Sequence, residues 1–348
     1  MATATNQIDT NKSVNEILST IEREREREII SRRFGLFDRK ETLEQIGELL
    51  GITRERVRQL EKAVLNKLKD SAKQGKLPRI TKLQPIIKEA VNDLGGVARV
   101  SDLSKFLNGD ISRTAQAQTS FLAELCPELV VIEENDNFYH AVGVKAAHDE
   151  AEIKKLVDVI IAAIKKIGHQ APIEKVAKDA GQGLGVQQTR ALANISKQLA
   201  TLNGQWGLIK WPTVNPKNIR DKIYVILKES GKPMHFSVIA SEIKKSEFKR
   251  KDVTVQAIHN ELIKDKRFVL IGRGIYALKE WGYEKGTVAD IITDVLRKAE
   301  KPLHRDEIIK QVLKSRFVKE TTILLNLQGK SQFKRVAKAT YGLSNKSA

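Results

Sequence analysis

Residues 42–68 read TLEQIGELLGITRERVRQLEKAVLNKL, and each half of this stretch begins with a helix-capping residue. Thr42 is an N-cap, and Gln45 follows three residues later, as in a capping box. Gly51 can take the left-handed conformation that ends a helix, and Thr53 can cap a second helix. The spacing predicts two helices joined by a tight turn, which is the helix-turn-helix motif.

The second predicted helix has two chemically distinct faces. At about 100° per residue, its apolar stripe contains Val57, Leu60, Val64 and Leu68, and its opposite face contains Arg54, Glu55, Arg58, Gln59 and Lys62. In the major groove Arg reaches guanine, Gln pairs with adenine and Glu accepts from cytosine, so this face suits base edges. A solvated helix surface can have a similar composition, and the spacing alone leaves both interpretations open.

Three motifs in and around this stretch carry a family resemblance: RFGL at 33–36, TLEQIG at 42–47 and TRERVRQ at 53–59. They resemble region four of the bacterial primary sigma factors, which binds the promoter −35 element. The resemblance implies base contacts by Arg54, Glu55, Arg58 and Gln59, and places Arg33, Thr53 and Lys62 near phosphates or an activator-facing surface. It also implies a second partner beside double-stranded DNA, the flap of the β subunit in the RNA polymerase core.

The chain departs from that family upstream of the motifs. Sigma factors carry aromatic-rich helices there that capture and melt the −10 element, whereas residues 1–20 contain no aromatic residue. We therefore expect no promoter melting by this chain alone.

A pattern of about 65 to 70 residues follows four times. Each copy opens with an amphipathic helix and a turn, continues with two helices and closes with an aromatic strand, which is the plan of a winged helix. We predict a mainly α chain, in which a helix-turn-helix domain is followed by four small winged-helix (α+β) domains in tandem. The predicted boundaries are 1–13 for a disordered tail, 14–72 for the helix-turn-helix domain, and 80–146, 150–213, 217–282 and 286–344 for the winged helices. We also expect one helix from Val14 through residue 28, and a linker over residues 69–79.

Copies three and four share further motifs: KPMH at 232–235 with GRGIYAL at 272–278, and KPLH at 301–304 with YGL at 341–343. These resemble the HARE-HTH family of winged helices, which includes the N-terminal domain of the RNA polymerase delta subunit. Copy four departs from it at residues 337–339, which lack the turn glycines. His235 and His304 recur at the same position, and we expect each to form a structural hydrogen bond at the start of a helix.

The net charge of +18 is concentrated near the C-terminus, because residues 216–348 carry +14 of it. A basic region of this size favours a polyanionic partner. The predicted phosphate contacts there are Lys249, Arg250, Lys251, Arg273, Lys334 and Arg335, against the alternative of a solvated surface. Copies one and two are nearly neutral, which indicates spacers or protein-contact modules.

Several other signals argue against alternative classes of protein. Cys126 is the only cysteine, so it cannot form an intramolecular disulfide, and we expect a buried thiol in a reducing cytoplasm. No signal peptide or long apolar run is present, so we expect no membrane partner and a cytoplasmic, nucleoid-associated protein. The GKS at 329–331 lacks the upstream glycine of a phosphate-binding loop, and the histidines are scattered. We therefore predict no cofactor, no metal and no enzymatic activity.

These observations favour a DNA-binding transcription factor that reads a −35-like element and contacts RNA polymerase. The alternative is a delta-like accessory protein of the polymerase, which acts through protein contacts without reading a DNA sequence.

Overall fold

The computed structural model describes residues 8–145, 149–248, 250, 252–283, 285–316 and 318–344. These residues form sixteen α-helices and four three-stranded sheets. They are divided into two compact units, Met1–Lys210 and Trp211–Ala348, and each is considered by itself.

The first unit begins with four helices: α1 (Thr10–Leu18), α2 (Glu24–Phe34), α3 (Leu43–Leu50) and α4 (Arg54–Lys73). Thr42 and Gln45 form the predicted capping box, in which each backbone N–H donates to the other side chain. Gly51 ends α3 at φ +63°, and the Thr53 hydroxyl accepts from the Arg56 N–H at 3.2 Å. The predicted helix-turn-helix is confirmed, together with both of its caps.

The chain ahead of the motif differs from the prediction of a disordered tail and one long helix. Residues 1–7 lie outside the described residues, but Asp9 caps α1 and Ile8 is buried, so the segment from residue 8 is ordered. The predicted single helix is two helices, because Arg23 is extended at φ −87° and ψ 119°. Ile21, between the helices, is buried in the core.

The remaining elements repeat one plan four times, in the order helix, strand, helix, helix, strand, strand. In the first unit they are α5 (Pro78–Asp93), β1 (Val97–Arg99), α6 (Val100–Asn108), α7 (Arg113–Leu125), β2 (Leu129–Ile132) and β3 (Ala141–Val144), then α8 (Glu150–Ile167), β4 (Ala171–Pro172), α9 (Ile173–Ala180), α10 (Val186–Ile195), β5 (Leu199–Leu202) and β6 (Gln205–Leu208). In the second unit they are α11 (Ile219–Ser230), β7 (Met234–His235), α12 (Phe236–Lys245), α13 (Val255–Lys264), β8 (Phe268–Gly272) and β9 (Ile275–Leu278), then α14 (Val288–Ala299), β10 (Leu303–His304), α15 (Arg305–Ser315), α16 (Glu320–Gly329), β11 (Phe333–Ala337) and β12 (Thr340–Leu343).

All four sheets are antiparallel and have the same strand order, in which the last strand lies between the first and the second. The winged-helix fold class is thereby confirmed. Sequence analysis missed the first strand of each copy, because two or three residues are too few to show an alternating pattern.

The helix-turn-helix and the first winged helix share one hydrophobic core. Val64, Leu68 and Ala72 of α4 are buried in the same cluster as Leu103 and Phe121 of the winged helix. The predicted linker over residues 69–79 is therefore wrong in extent: α4 continues to Lys73 and α5 begins at Pro78. The reason is that Ala72 extends the apolar stripe of α4 by one more turn.

Candidate nucleic-acid interface

Helix α4 is held along one side by two separate apolar clusters. Near its start, Val57 is buried in a small cluster with Ile29 of α2 and Ile46 of α3. Farther along, Val64 and Leu68 lie in the large core. This anchoring fixes the rotation of α4 and leaves its opposite side facing solvent.

Gly47 sets the close approach of α3 to the turn. A Cβ placed at this glycine would lie only 2.7 Å from the carbonyl oxygen of Ile52. Because no L side chain fits there without movement of the backbone, Gly47 fixes the spacing between α3 and the start of α4.

The exposed side of α4 brings together the four predicted base-contacting residues. Arg58 donates to both carboxylate oxygens of Glu55, with Nε at 2.8 Å and Nη2 at 2.7 Å, and Gln59 Nε2 donates to Glu55 at 3.4 Å. Arg54 Nη1 lies 2.6 Å from Glu44 of α3. The hydrogen bond from Arg58 lowers the pKa of the Glu55 carboxyl, and that carboxylate raises the pKa of Arg58. All four side chains are solvent-exposed and charged or amide in type, so they are accessible to a groove of DNA.

The three predicted phosphate contacts near α4 have different surroundings. Thr53 and Lys62 are exposed. Arg33 is 29% exposed, and its Nε lies 3.2 Å from Glu61, which ties α2 to α4. Arg33 therefore already has an anionic partner within the chain.

Most of the predicted basic contacts in the second unit are exposed, and Lys249 and Lys251 lie outside the described residues. Arg250 is exposed, and its backbone carbonyl accepts from the buried Lys222 Nζ at 2.7 Å. Arg273 is exposed in the turn between β8 and β9, and Lys334 and Arg335 are exposed on β11.

The third helix of copy one is covered by the helix-turn-helix. Gln118 of α7 is buried and donates through Nε2 to the carbonyl oxygen of Leu36 at 2.8 Å. The rings of Phe121 and Phe34 meet edge to face at 5.1 Å. A buried helix cannot enter a groove, so α7 serves contacts within the chain.

The third helix of copy two is covered in the same way by copy one. Gln187 of α10 donates to the carbonyl oxygen of Asp93 at 2.6 Å, and the Tyr139 N–H donates to that of Ile195 at 2.9 Å. The near-neutral charge of copies one and two was the sequence signal for protein contact, but it did not identify the contact surfaces.

The two repeated histidines have the predicted structural role. The Nδ1 atom of His235 accepts from the Ser237 N–H at 3.3 Å, and that of His304 accepts from the Asp306 N–H at 3.4 Å. Each histidine is the N-cap of a helix, α12 or α15. Cys126 is buried as expected, and burial raises the pKa of its thiol to about 12.

The residues that the structure describes offer neither a metal site nor a membrane span. Among them, no group of three or more His, Cys, Asp or Glu side chains is placed to hold a metal ion. No helix in the same residues has both the length and the apolar character needed to cross a bilayer.

Fold and exposed surface together define a chain of helix-turn-helix and winged-helix modules. Family models identify two of them: sigma-70 region 4 matches residues 23–70, and HARE-HTH, the ASXL and restriction endonuclease HTH domain, matches residues 219–281. The chain thus contains a sigma-70 region 4 domain and a HARE-HTH domain.

Curated relatives match the N-terminal segment. RNA polymerase sigma factor sigB of Arabidopsis thaliana is 46% identical over 54 residues, which are 15% of this chain and 9% of that protein. SigA of a Bacillus species is 40% identical over 67 residues, or 19% of this chain and 18% of that protein. SigA1 of Synechococcus elongatus is 50% identical over 54 residues, or 15% and 13%. The chain spans less than a fifth of the length of each of these relatives.

Proposed function

We propose that this chain is a DNA-binding transcription factor that reads a −35-like element with α4 and associates with RNA polymerase. The observation that carries the proposal is the exposed face of Arg54, Glu55, Arg58 and Gln59 on a helix anchored from behind, within the segment that matches sigma-70 region 4. The excess positive charge of the chain supports a polyanionic partner.

In the proposed complex, α4 lies in the major groove. Arg58 and Arg54 donate to guanine, Gln59 pairs with adenine, and Glu55 accepts from cytosine. The two hydrogen bonds between Glu55 and Arg58 hold the guanidinium in a defined orientation before binding, which lowers the entropic cost of the contact.

Phosphate contacts complete the proposed complex and fix its register. Thr53 and Lys62 flank the base-reading face of α4, whereas Arg33 would reach a phosphate only by leaving Glu61. In the second unit Arg250, Arg273, Lys334 and Arg335, with the neighbouring Lys249 and Lys251, supply contacts that do not depend on sequence.

The proposed polymerase contact is the β flap of the core enzyme, and it requires an apolar surface that the chain itself leaves open. Because α7 covers the apolar sides of α2 and α4, that surface lies elsewhere on the helix-turn-helix domain. Phe37 is 48% exposed beside a cavity of about 570 Å³ that Arg27, Ser31 and Arg32 also line. We assign the flap contact to Phe37.

Fluorescence anisotropy with two duplexes tests the DNA part of the proposal, one carrying a −35 hexamer and the other a scrambled hexamer, across a salt series. The hexamer duplex is expected to bind about tenfold more tightly, as one good base contact predicts. Arg58→Ala removes that difference. Arg56→Ala is the matched control, because it removes the same charge from an exposed position on the flank of α4 and should weaken both duplexes alike. Equal binding of the two duplexes by the unaltered chain would refute −35 reading.

The second candidate function, a delta-like polymerase accessory, is favoured by the burial of α7 and α10. These helices show that winged helices of this chain can serve protein contacts. Retention of core polymerase on the immobilised full chain without DNA is the test, with Phe37→Ser as the variant and Phe106→Ser as the control, since Phe106 is 39% exposed on α6. Retention of polymerase combined with equal binding of both duplexes identifies the accessory role.

A further inference from the structure

Helix α13, the third helix of copy three, differs from α7 and α10 in what it exposes. Only Ile258 and Leu262 of its ten residues are buried. At about 100° per residue, the direction opposite to this pair is occupied by Gln256, Asn260 and Lys264, with Ile263 beside them, and all four are exposed. Within its unit, α13 therefore presents an amide-rich face to solvent.

The two amides on this face are already arranged as a pair. Gln256 Nε2 donates to Asn260 Oδ1 at 3.1 Å, across one turn of the helix. This bond leaves the Gln256 carbonyl oxygen as an acceptor and an N–H of Asn260 as a donor. Adenine presents the complementary groups in the major groove, an N6 donor beside the N7 acceptor. Ile263, 62% exposed, is apolar as a contact with the thymine methyl group requires.

A stack of rings connects α13 to the wing of the same copy. The ring of His259 lies 4.8 Å from that of Phe236, which lies 4.4 Å from that of His235. Gly274 of the turn between β8 and β9 packs so closely on His235 that a Cβ there would collide with the imidazole. The stack thus fixes the turn that carries Arg273 relative to the third helix, as simultaneous contact with a groove and a phosphate requires.

We infer that α13 is a second base-reading helix, which recognises an adenine in the major groove through Gln256 and Asn260. The inference rests on the proposed DNA binding of the second unit and extends it from phosphate contact to sequence recognition. Neither Thr321 nor Leu325, at the corresponding positions of α16, carries an amide, so base reading of this kind is confined to copy three of the second unit.

The test is selection by the full chain from duplexes that hold a fixed −35 hexamer between random flanks. We expect a second short block enriched in adenine, which the double variant Gln256→Ala/Asn260→Ala loses while the chain still binds the hexamer. Gln328→Ala, which removes an exposed amide from α16, is the control and should keep the block. Replacement of the enriched adenine by 7-deazaadenine removes only the N7 acceptor and should weaken binding of the unaltered chain about tenfold. The double variant should be indifferent to that replacement.

The outcomes separate this inference from the proposed −35 reading. Arg58→Ala should abolish the preference for the hexamer and leave the adenine block, so either preference can fail alone. The absence of an adenine block, or a block that survives the double variant, overturns the inference. A double variant that loses polymerase retention without any change in the selected DNA identifies the face as a protein-binding surface and also overturns it.

Discussion

Phe121→Ala is expected to destabilise the DNA-binding helix α4 although it lies in a different module. Phe121 has no exposed surface, and its ring packs edge to face on Phe34 at 5.1 Å. Removal of a fully buried phenyl ring costs about 3 to 5 kcal/mol, including the lost ring pair. Because Val64 and Leu68 of α4 lie in the same core, the cost falls on the helix-turn-helix and on the winged helix together.

Urea unfolding of the full chain, followed by hydrogen exchange of the α4 amides, checks this expectation. The variant should lower the protection of the second half of α4 by the same free energy as that of α7. Phe268→Ala is the matched control, because Phe268 is 2% exposed in a core of the second compact unit and should leave the α4 amides unchanged. Loss of protection confined to α7, with α4 unaffected, would refute the shared core and favour independent domains.

Three further predictions concern single positions. Gly47→Ala places a methyl group 2.7 Å from the Ile52 carbonyl oxygen, so it should cost about 1 to 3 kcal/mol and weaken −35 binding; an unchanged urea midpoint would contradict this. Ala339→Gly should stabilise the second unit by about 1 kcal/mol, because Ala339 has φ +57°, a conformation that costs an L residue about that much; thermal unfolding without a gain would count against the strain. Burial lowers the pKa of His140, so the unfolded chain, with an ordinary His pKa of about 6.5, binds a proton that the folded chain resists. Stability should therefore fall as the pH decreases below that value, and His140→Gln should reduce the decline in urea midpoint; an equal decline in both proteins would exclude this histidine as its source.

The helix-turn-helix could be predicted from sequence because its determinants are local. The capping box of Thr42 and Gln45, the left-handed Gly51 and the cap at Thr53 each act within one turn of chain, and each has the predicted geometry. The histidine caps at His235 and His304 are local in the same sense. Sequence also identified the face of α4 that is exposed, because the apolar stripe opposite it is periodic.

The arrangement of the modules could not be predicted, because it depends on contacts between distant residues. Gln118 reaches the carbonyl oxygen of Leu36 across 82 positions of the chain, and the pattern of α7 does not indicate what covers it. The same holds for Arg33, which sequence placed near phosphate and which the fold pairs with Glu61.

The sequence by itself determined the local elements of this protein: the caps, the turns, the two faces of α4 and the fourfold helix and strand pattern. Only the tertiary structure decided which third helices are available to a partner, since α7 and α10 are covered within the chain and α13 exposes its amide pair. The physical reason is that helix formation and capping are set by neighbours in sequence, whereas burial of a helix face is decided by which apolar surfaces meet when the whole unit packs.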